Sequence, residues 1–305
     1  MAAERPAGAA LPATEQANPA TARLDQMSAL ELARAMNAED ARVAPAVARE
    51  LEPIARAIEA VTARLRSGGR LIYLGAGTSG RLGVLDASEC PSTFSTPPDL
   101  VIGCLAGGAD ALAVAADEVE DRAESGAADV ARLGVTGRDA LVGISASGRT
   151  PYVLGGLGAA RQRGALTIGL ACNAGGPLAA LCDVVIAPCV GPEVVAGSTR
   201  LKAGTAQKMV LNMLSTGVMV ALGKTYGNLM VDVRPTNAKL RLRALRIVTE
   251  ATGLDEPAAA RLLRACGDET RTAILCALAG IAPDAARARL TAHGGVIRAA
   301  LEAAP

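Results

Sequence analysis

The sequence predicts an α/β protein: a doubly wound, mostly parallel sheet, with helices before it and a small helical domain after it. Two observations carry that prediction. Apolar runs rich in Val, Ile and Leu recur at 71–74, 101–105, 140–145, 166–171 and 184–188, and they are continuous rather than alternating, as in strands covered on both faces. Helical stretches at 79–89, 108–122, 150–163 and 198–222 are interleaved with these runs and supply that cover.

The elements follow in order. Residues 1–25 are rich in Ala and Pro, lack a continuous apolar segment, and are expected to be a disordered tail rather than a leader peptide. Between 28 and 67, apolar residues at helical spacing (Leu51, Ile54, Ile58, Val61, Leu65) predict two helices, divided near Asn37 and Pro45 and ended by Gly68 and Gly69. N-terminal helices are thus expected over 26–59 and the sheet domain over 60–223. A Gly-, Asn- and Pro-bearing linker is expected over 224–245, and a small helical domain over 246–305. Its short helices fall near 242–251, 256–265, 269–279, 283–291 and 295–303.

Composition narrows the function. One Phe, three Tyr and no Trp leave the core to Ala, Leu, Val and Ile, and deny nucleic-acid bases an aromatic platform. Basic and acidic residues balance at 31 and 30, so no broad nucleic-acid surface is expected and an anionic ligand must be held locally. The least polar stretch, 209–223, is too short and too interrupted to span a bilayer, which predicts a cytoplasmic protein without a membrane partner. Seven cysteines without a C-x-x-C pair, and one histidine, His293, predict buried thiols and no metal site. Cys90 stands out because it adjoins Glu89. His293 reads as a helix-end residue.

The stretch LIYLGAGTSGRLG (71–83) matches the spacing G-x-G-x-x-G of dinucleotide-binding loops. Such a loop needs an acid closing the second strand to bind the ribose, yet after 101–105 the chain reads Ala-Gly-Gly, and Asp99 precedes that strand. What remains is a helix N-terminus with free N–H groups and two hydroxyls, Thr78 and Ser79, which suits a phosphate. A second strand runs into Ser145, Ser147 and Thr150 around Gly148, a loop of the same kind. A third segment, 191–205, adds Ser198, Thr199 and Lys202 at the start of a helix. Each hydroxyl alone would be an ordinary helix cap; their concentration on strand-to-helix loops of one sheet predicts a phosphate site.

The stretches LIYLGAGTSGRLGVLDASECPSTF, GISASGRTPYV, GPEVVAGSTRLKAGTAQKMVLNMLSTG and YGNLMVDVRPTN resemble the N-acetylmuramic acid 6-phosphate etherase family over residues 26–303. The resemblance implies a sugar isomerase (SIS) domain with a small helical domain after it. It also implies cleavage of the D-lactyl ether of N-acetylmuramate 6-phosphate during cell-wall recycling, by elimination and then hydration, with no cofactor. The glucokinase regulatory protein, a phosphosugar binder of the same superfamily, is the non-catalytic alternative, and an aldose–ketose isomerase a third. The motif D-A-S-E-C-P places the family's proton donor at Glu89, and aligning AADEVED places its second acid at Glu120, beside Asp117 and Glu118. If 79–89 is one helix, Glu89 lies roughly 15 Å from its N-terminus, which predicts a homodimer whose sites draw on both subunits.

Overall fold

A computed structural model describes residues 11–113, 117–233 and 238–303. Helices α1 (Ala29–Asp40), α2 (Val43–Ala48) and α3 (Leu51–Arg66) lead into β1 (Leu71–Gly75), α4 (Gly77–Phe94) and β2 (Val101–Leu105). Then come α5 (Asp117–Glu120), α6 (Ala123–Arg132), β3 (Ala140–Ile144), α7 (Pro151–Gln162), β4 (Leu166–Leu170) and β5 (Val184–Ile186). After α8 (Lys202–Ala221) follow a hairpin of β6 (Thr225–Tyr226) and β7 (Leu229–Met230), then α9 (Ala238–Thr252) and α10 (Glu256–Ala265). The last three helices are α11 (Thr270–Ala279), α12 (Pro283–Ala292) and α13 (Ile297–Glu302).

The chain forms two compact units, one of Met1–Ala87 and Leu100–Leu214, the other of Ser88–Asp99 and Ser215–Pro305. The first holds a parallel sheet in the order β2-β1-β3-β4-β5. Strands β1, β3 and β4 are buried along their whole length, as continuous apolar runs require. Ile72 and Leu74 face a core built with Tyr152, Val153 and Leu157 of α7 and Val130 of α6. Tyr73, with the opposite parity, turns to the other face and donates from its hydroxyl to Asp86 of α4 at 2.9 Å. Asp86 also accepts from Asn212 of α8 at 2.7 Å, so α4 and α8 share that face.

Glycine lets helices and strands approach closely here. A Cβ on Gly80 would sit 2.3 Å from the Gly75 carbonyl oxygen and 2.6 Å from Leu105 Cδ1. A Cβ on Gly126 would lie 1.9 Å from the Tyr152 carbonyl oxygen, and one on Gly155 equally close to that of Ala123, so α6 and α7 pack backbone against backbone.

Among its described residues, the regular structure of the second unit is helical apart from its hairpin. Ala244, Ile247 and Val248 of α9 pack with Leu263, Ile274, Leu275, Leu290 and Ile297 around Val231 and Val233. Asp232 is held by Lys224 and, at 2.8 Å, by Arg271.

Several expectations need correction. Three helices, not two, fill 29–66: α1 runs through Asn37, and Pro45 sits in the first turn of α2, where its missing N–H costs nothing. Residues 11–25 are no disordered tail; they form short 3-10 turns with Thr14, Asn18 and Thr21 buried. The rest of that segment, 1–10, lies outside the described residues. The stretch 224–245 is not a linker, since it supplies a hairpin, Val231, Val233 and Ala244 to the second core. The division between units falls within α4 and α8, not near 59 or 223. Among the described residues of 108–122 there is a 3-10 turn (Ala109–Leu112) and then α5, in place of one helix.

Replacing Gly80 by Ala drives a methyl into the Gly75 carbonyl and Leu105. It is expected to destabilise the protein by about 1–3 kcal/mol or more, read as a lower thermal unfolding midpoint. Gly158, whose added Cβ meets nothing within 4 Å, is the matched control.

Candidate functional site

Gly75 and Ile144 are register partners at the ends of β1 and β3, so the loops leaving these strands start side by side. From there the chain turns towards β2 on one side and β4 on the other. A crevice opens where neighbouring connections diverge in this way. Here it is a cleft of about 210 Å³ lined by Ala76, Gly77, Thr78 and Ser79 of the first loop and Ile144, Ala146, Ser147 and Thr150 of the second. Thr199, Glu120 and Glu15 complete the wall.

The first loop owes its shape to its glycines. Gly75 and Gly80 let the end of β1 touch the first turn of α4, and Gly77 takes a positive φ of 52° that side chains disfavour. Gly80 N–H is bonded to the Ala76 carbonyl at 3.0 Å. The N–H groups of residues 77–79 precede the first intrahelical bond, the position at which helix N-termini can bind anions. Ser79 Oγ donates to Gln207 Oε1 of α8 at 2.9 Å. Gln207 is buried, and its Nε2 has no partner among the described residues.

The second loop is a hydroxyl network. Ser145 Oγ lies 2.8 Å from Thr150 Oγ1 and 3.3 Å from Ser147 Oγ, and accepts the Gly148 N–H at 3.1 Å. Ser147 Oγ accepts the Arg149 N–H at 3.1 Å. Ser145 does not line the cleft itself but holds Ser147 and Thr150, which do. Glu120 stands between the loops: its Oε1 is 3.5 Å from Thr150 Oγ1, and its Oε2 would be 3.9 Å from a Cβ on Gly77.

Residues 53–161 match the model of the glucokinase regulatory protein N-terminal SIS domain, and residues 122–217 match the SIS domain. The chain is 58% identical to the N-acetylmuramic acid 6-phosphate etherase of Rubrobacter xylanophilus, over 94% of this chain and 95% of that one. It is 56% identical to the etherase of Streptomyces avermitilis, over 96% and 94% of the two chains. The chain belongs to the N-acetylmuramic acid 6-phosphate etherase family. A phosphoheptose isomerase from Francisella tularensis shares the fold at 22% identity, with a TM-score of 0.52 over 64% of this chain and all of that one.

Of the residues expected to serve this etherase family member, Thr78, Ser79, Ser147, Thr150, Thr199 and Glu120 meet at the cleft. Ser198 does not line it. Lys202 is fully buried at the start of α8, paired with Glu39 of α1 rather than turned to a ligand. The same helix start is capped by buried Glu193, which accepts the N–H groups of Lys202 and Ala203 at 3.0 and 2.9 Å. Burial pushes the Glu193 carboxyl pKa up, against the lowering effect of those bonds. Glu89 is exposed on α4 and is not among the residues that line the cleft. Cys90 beside it is buried. His293 closes α12, its Nδ1 2.8 Å from the Arg289 carbonyl oxygen. Glu15 and Gln207 were missed. Asn18-Pro19, a helix-start signal in the supposed tail, was the available sign that the segment around Glu15 folds.

The Lys202–Glu39 pair has a pH signature. Burial would raise the Glu39 carboxyl pKa, but Lys202, with Arg42 behind it, outweighs burial and holds it below its ordinary 4.5. The unfolded chain therefore takes up its proton first as pH falls. The stability from this pair is present above pH 4.5 and fades below it. Glu39→Gln removes the carboxylate paired with the buried ammonium and is expected to cost about 3–5 kcal/mol at neutral pH. Thermal midpoints measured from pH 7 to 3 should converge for the two proteins in acid.

Proposed function

We infer that this protein, as an N-acetylmuramic acid 6-phosphate etherase, binds the phosphate of its sugar between the loops of β1 and β3. The observation that carries this reading is the cleft at the switch point, where both helix starts and the hydroxyls of Thr78, Ser79, Ser147 and Thr150 converge beside Glu120. Helix N-termini and hydroxyls suit a phosphate dianion without a dedicated cation.

The chemistry follows from the substrate. In the ring-opened sugar the C2 proton is α to the aldehyde and the lactyl ether leaves from C3. Removing that proton lets the C–H electron pair form C2=C3 as the C3–O bond breaks, with a proton passing to the departing lactyl oxygen. Water then adds across the double bond, its oxygen to C3 and a proton to C2. The products are N-acetylglucosamine 6-phosphate and D-lactate. Carboxyl groups alternate as base and acid in such a sequence.

Glu120, which lines the cleft, is our candidate for one of these duties. For the other we propose Glu89 of a second copy, in a homodimer whose sites are shared between subunits. A phosphorylated amino sugar is made where phosphoryl donors are found, which supports a cytoplasmic location for the reaction.

Incubation with N-acetylmuramate 6-phosphate should release stoichiometric D-lactate, and Glu89→Gln and Glu120→Gln should each abolish release while sugar-phosphate binding persists. Mixing these two inactive variants under subunit exchange should restore up to about a quarter of wild-type activity, since half of random dimers then carry one complete site. Binding without lactate would contradict the etherase reading, a ketose product would indicate isomerisation, and no restoration on mixing would contradict the shared site.

A further inference from the structure

We propose that Glu15 is a substrate-binding residue of the cleft, one that selects a sugar phosphate over a bare phosphate by accepting a hydrogen bond from a sugar hydroxyl or amide N–H. The proposal rests on the phosphosugar reading above and adds to it a wall supplied by the N-terminal segment.

That segment is fastened on both sides of Glu15. Thr14, fully buried, accepts at its Oγ1 from Asn173 Nδ2 at 2.9 Å, and the same amide group reaches the Ala146 carbonyl at 2.8 Å. The Gly197 N–H donates to the Thr14 carbonyl at 3.1 Å. Further along, Asn18 Nδ2 donates to the Pro192 carbonyl at 3.2 Å and Thr21 Oγ1 to that of Val194 at 2.8 Å. The strap is thus stitched, through Asn173 of the loop after β4, to the loop after β3 that carries Ser147, and directly to the segment that carries Thr199. Glu15 is left at the cleft, its Oε2 3.0 Å from where a Cβ on Gly197 would sit.

Charge then divides the cleft. Among its described lining residues are two carboxylates, Glu15 and Glu120, and neither Lys nor Arg. A phosphate dianion seated against a carboxylate is repelled, so the phosphate belongs at the N–H groups of residues 77–79 and the hydroxyls of Thr78, Ser79 and Ser147, with Thr150 between it and Glu120. The carboxylates must face the part of the ligand that donates hydrogen bonds, which inorganic phosphate lacks and an amino sugar has. A hydrogen bond to a charged acceptor gives discrimination of about tenfold to a hundredfold.

The full-length protein and Glu15→Gln should be titrated calorimetrically with N-acetylglucosamine 6-phosphate and with inorganic phosphate. Glu15→Gln is expected to bind the sugar phosphate about tenfold or more weakly, and inorganic phosphate as well as wild type or better, because a repelling charge has gone. These opposite responses separate ligand contact from damage to the strap. Equal weakening of both ligands would assign Glu15 a structural role and overturn the proposal, as would unchanged binding of both. Wild-type protein that binds neither ligand would overturn the phosphosugar reading and this proposal with it.

Discussion

The close approach of β1 to α4 is the constraint on which the site depends. With Gly75 and Gly80 facing each other, the first turn of α4 rests on the end of its strand, where a Cβ on either residue would meet backbone at less than 3 Å. That contact fixes where the N–H groups of 77–79 point, and β3, paired in register with β1, sets the second loop beside them. The spacing G-x-G-x-x-G thus serves the turn itself: close packing at its ends and a positive φ at Gly77. A nucleotide is one ligand such a turn can hold, and a phosphate with hydroxyls around it is another.

Buried polar groups then lock the surroundings. Glu193 caps α8 while the Lys202 side chain passes inward to Glu39, so α1 is tied to the helix that backs Ser79 through Gln207. A residue that looked like a cation for the ligand is a structural counter-charge. With Lys202 engaged there, hydroxyls, amides and carboxylates shape the cleft, and recognition becomes a matter of matching donors to acceptors rather than of net charge.

Much of the sheet was legible because its strands are continuous apolar runs with little freedom to be anything else: 101–105 matches β2 at both ends, and the other four differ by one or two residues at their carboxyl ends. Helix boundaries were harder where glycine misleads. Helix α6 was not among the expected elements: Gly126 sits inside it, where only glycine allows the backbone of α7 to come so near. The folded state of 11–25 was hidden for a different reason. Its order comes from hydrogen bonds to Asn173, Pro192 and Val194, more than 150 residues away, which local composition cannot register. Five of the cleft residues could be named because hydroxyls crowd strand-to-helix loops, and Glu120 from the family resemblance. Glu15 could not, since it lies outside every motif of the sheet.

A crystal structure with N-acetylglucosamine 6-phosphate bound tests the central claim most directly. The account predicts the phosphate between the loops of β1 and β3, within hydrogen-bond distance of the N–H groups of 77–79 and of hydroxyls among Thr78, Ser79, Ser147 and Thr150. A phosphate found anywhere else on the protein, with this cleft holding only water, would contradict it.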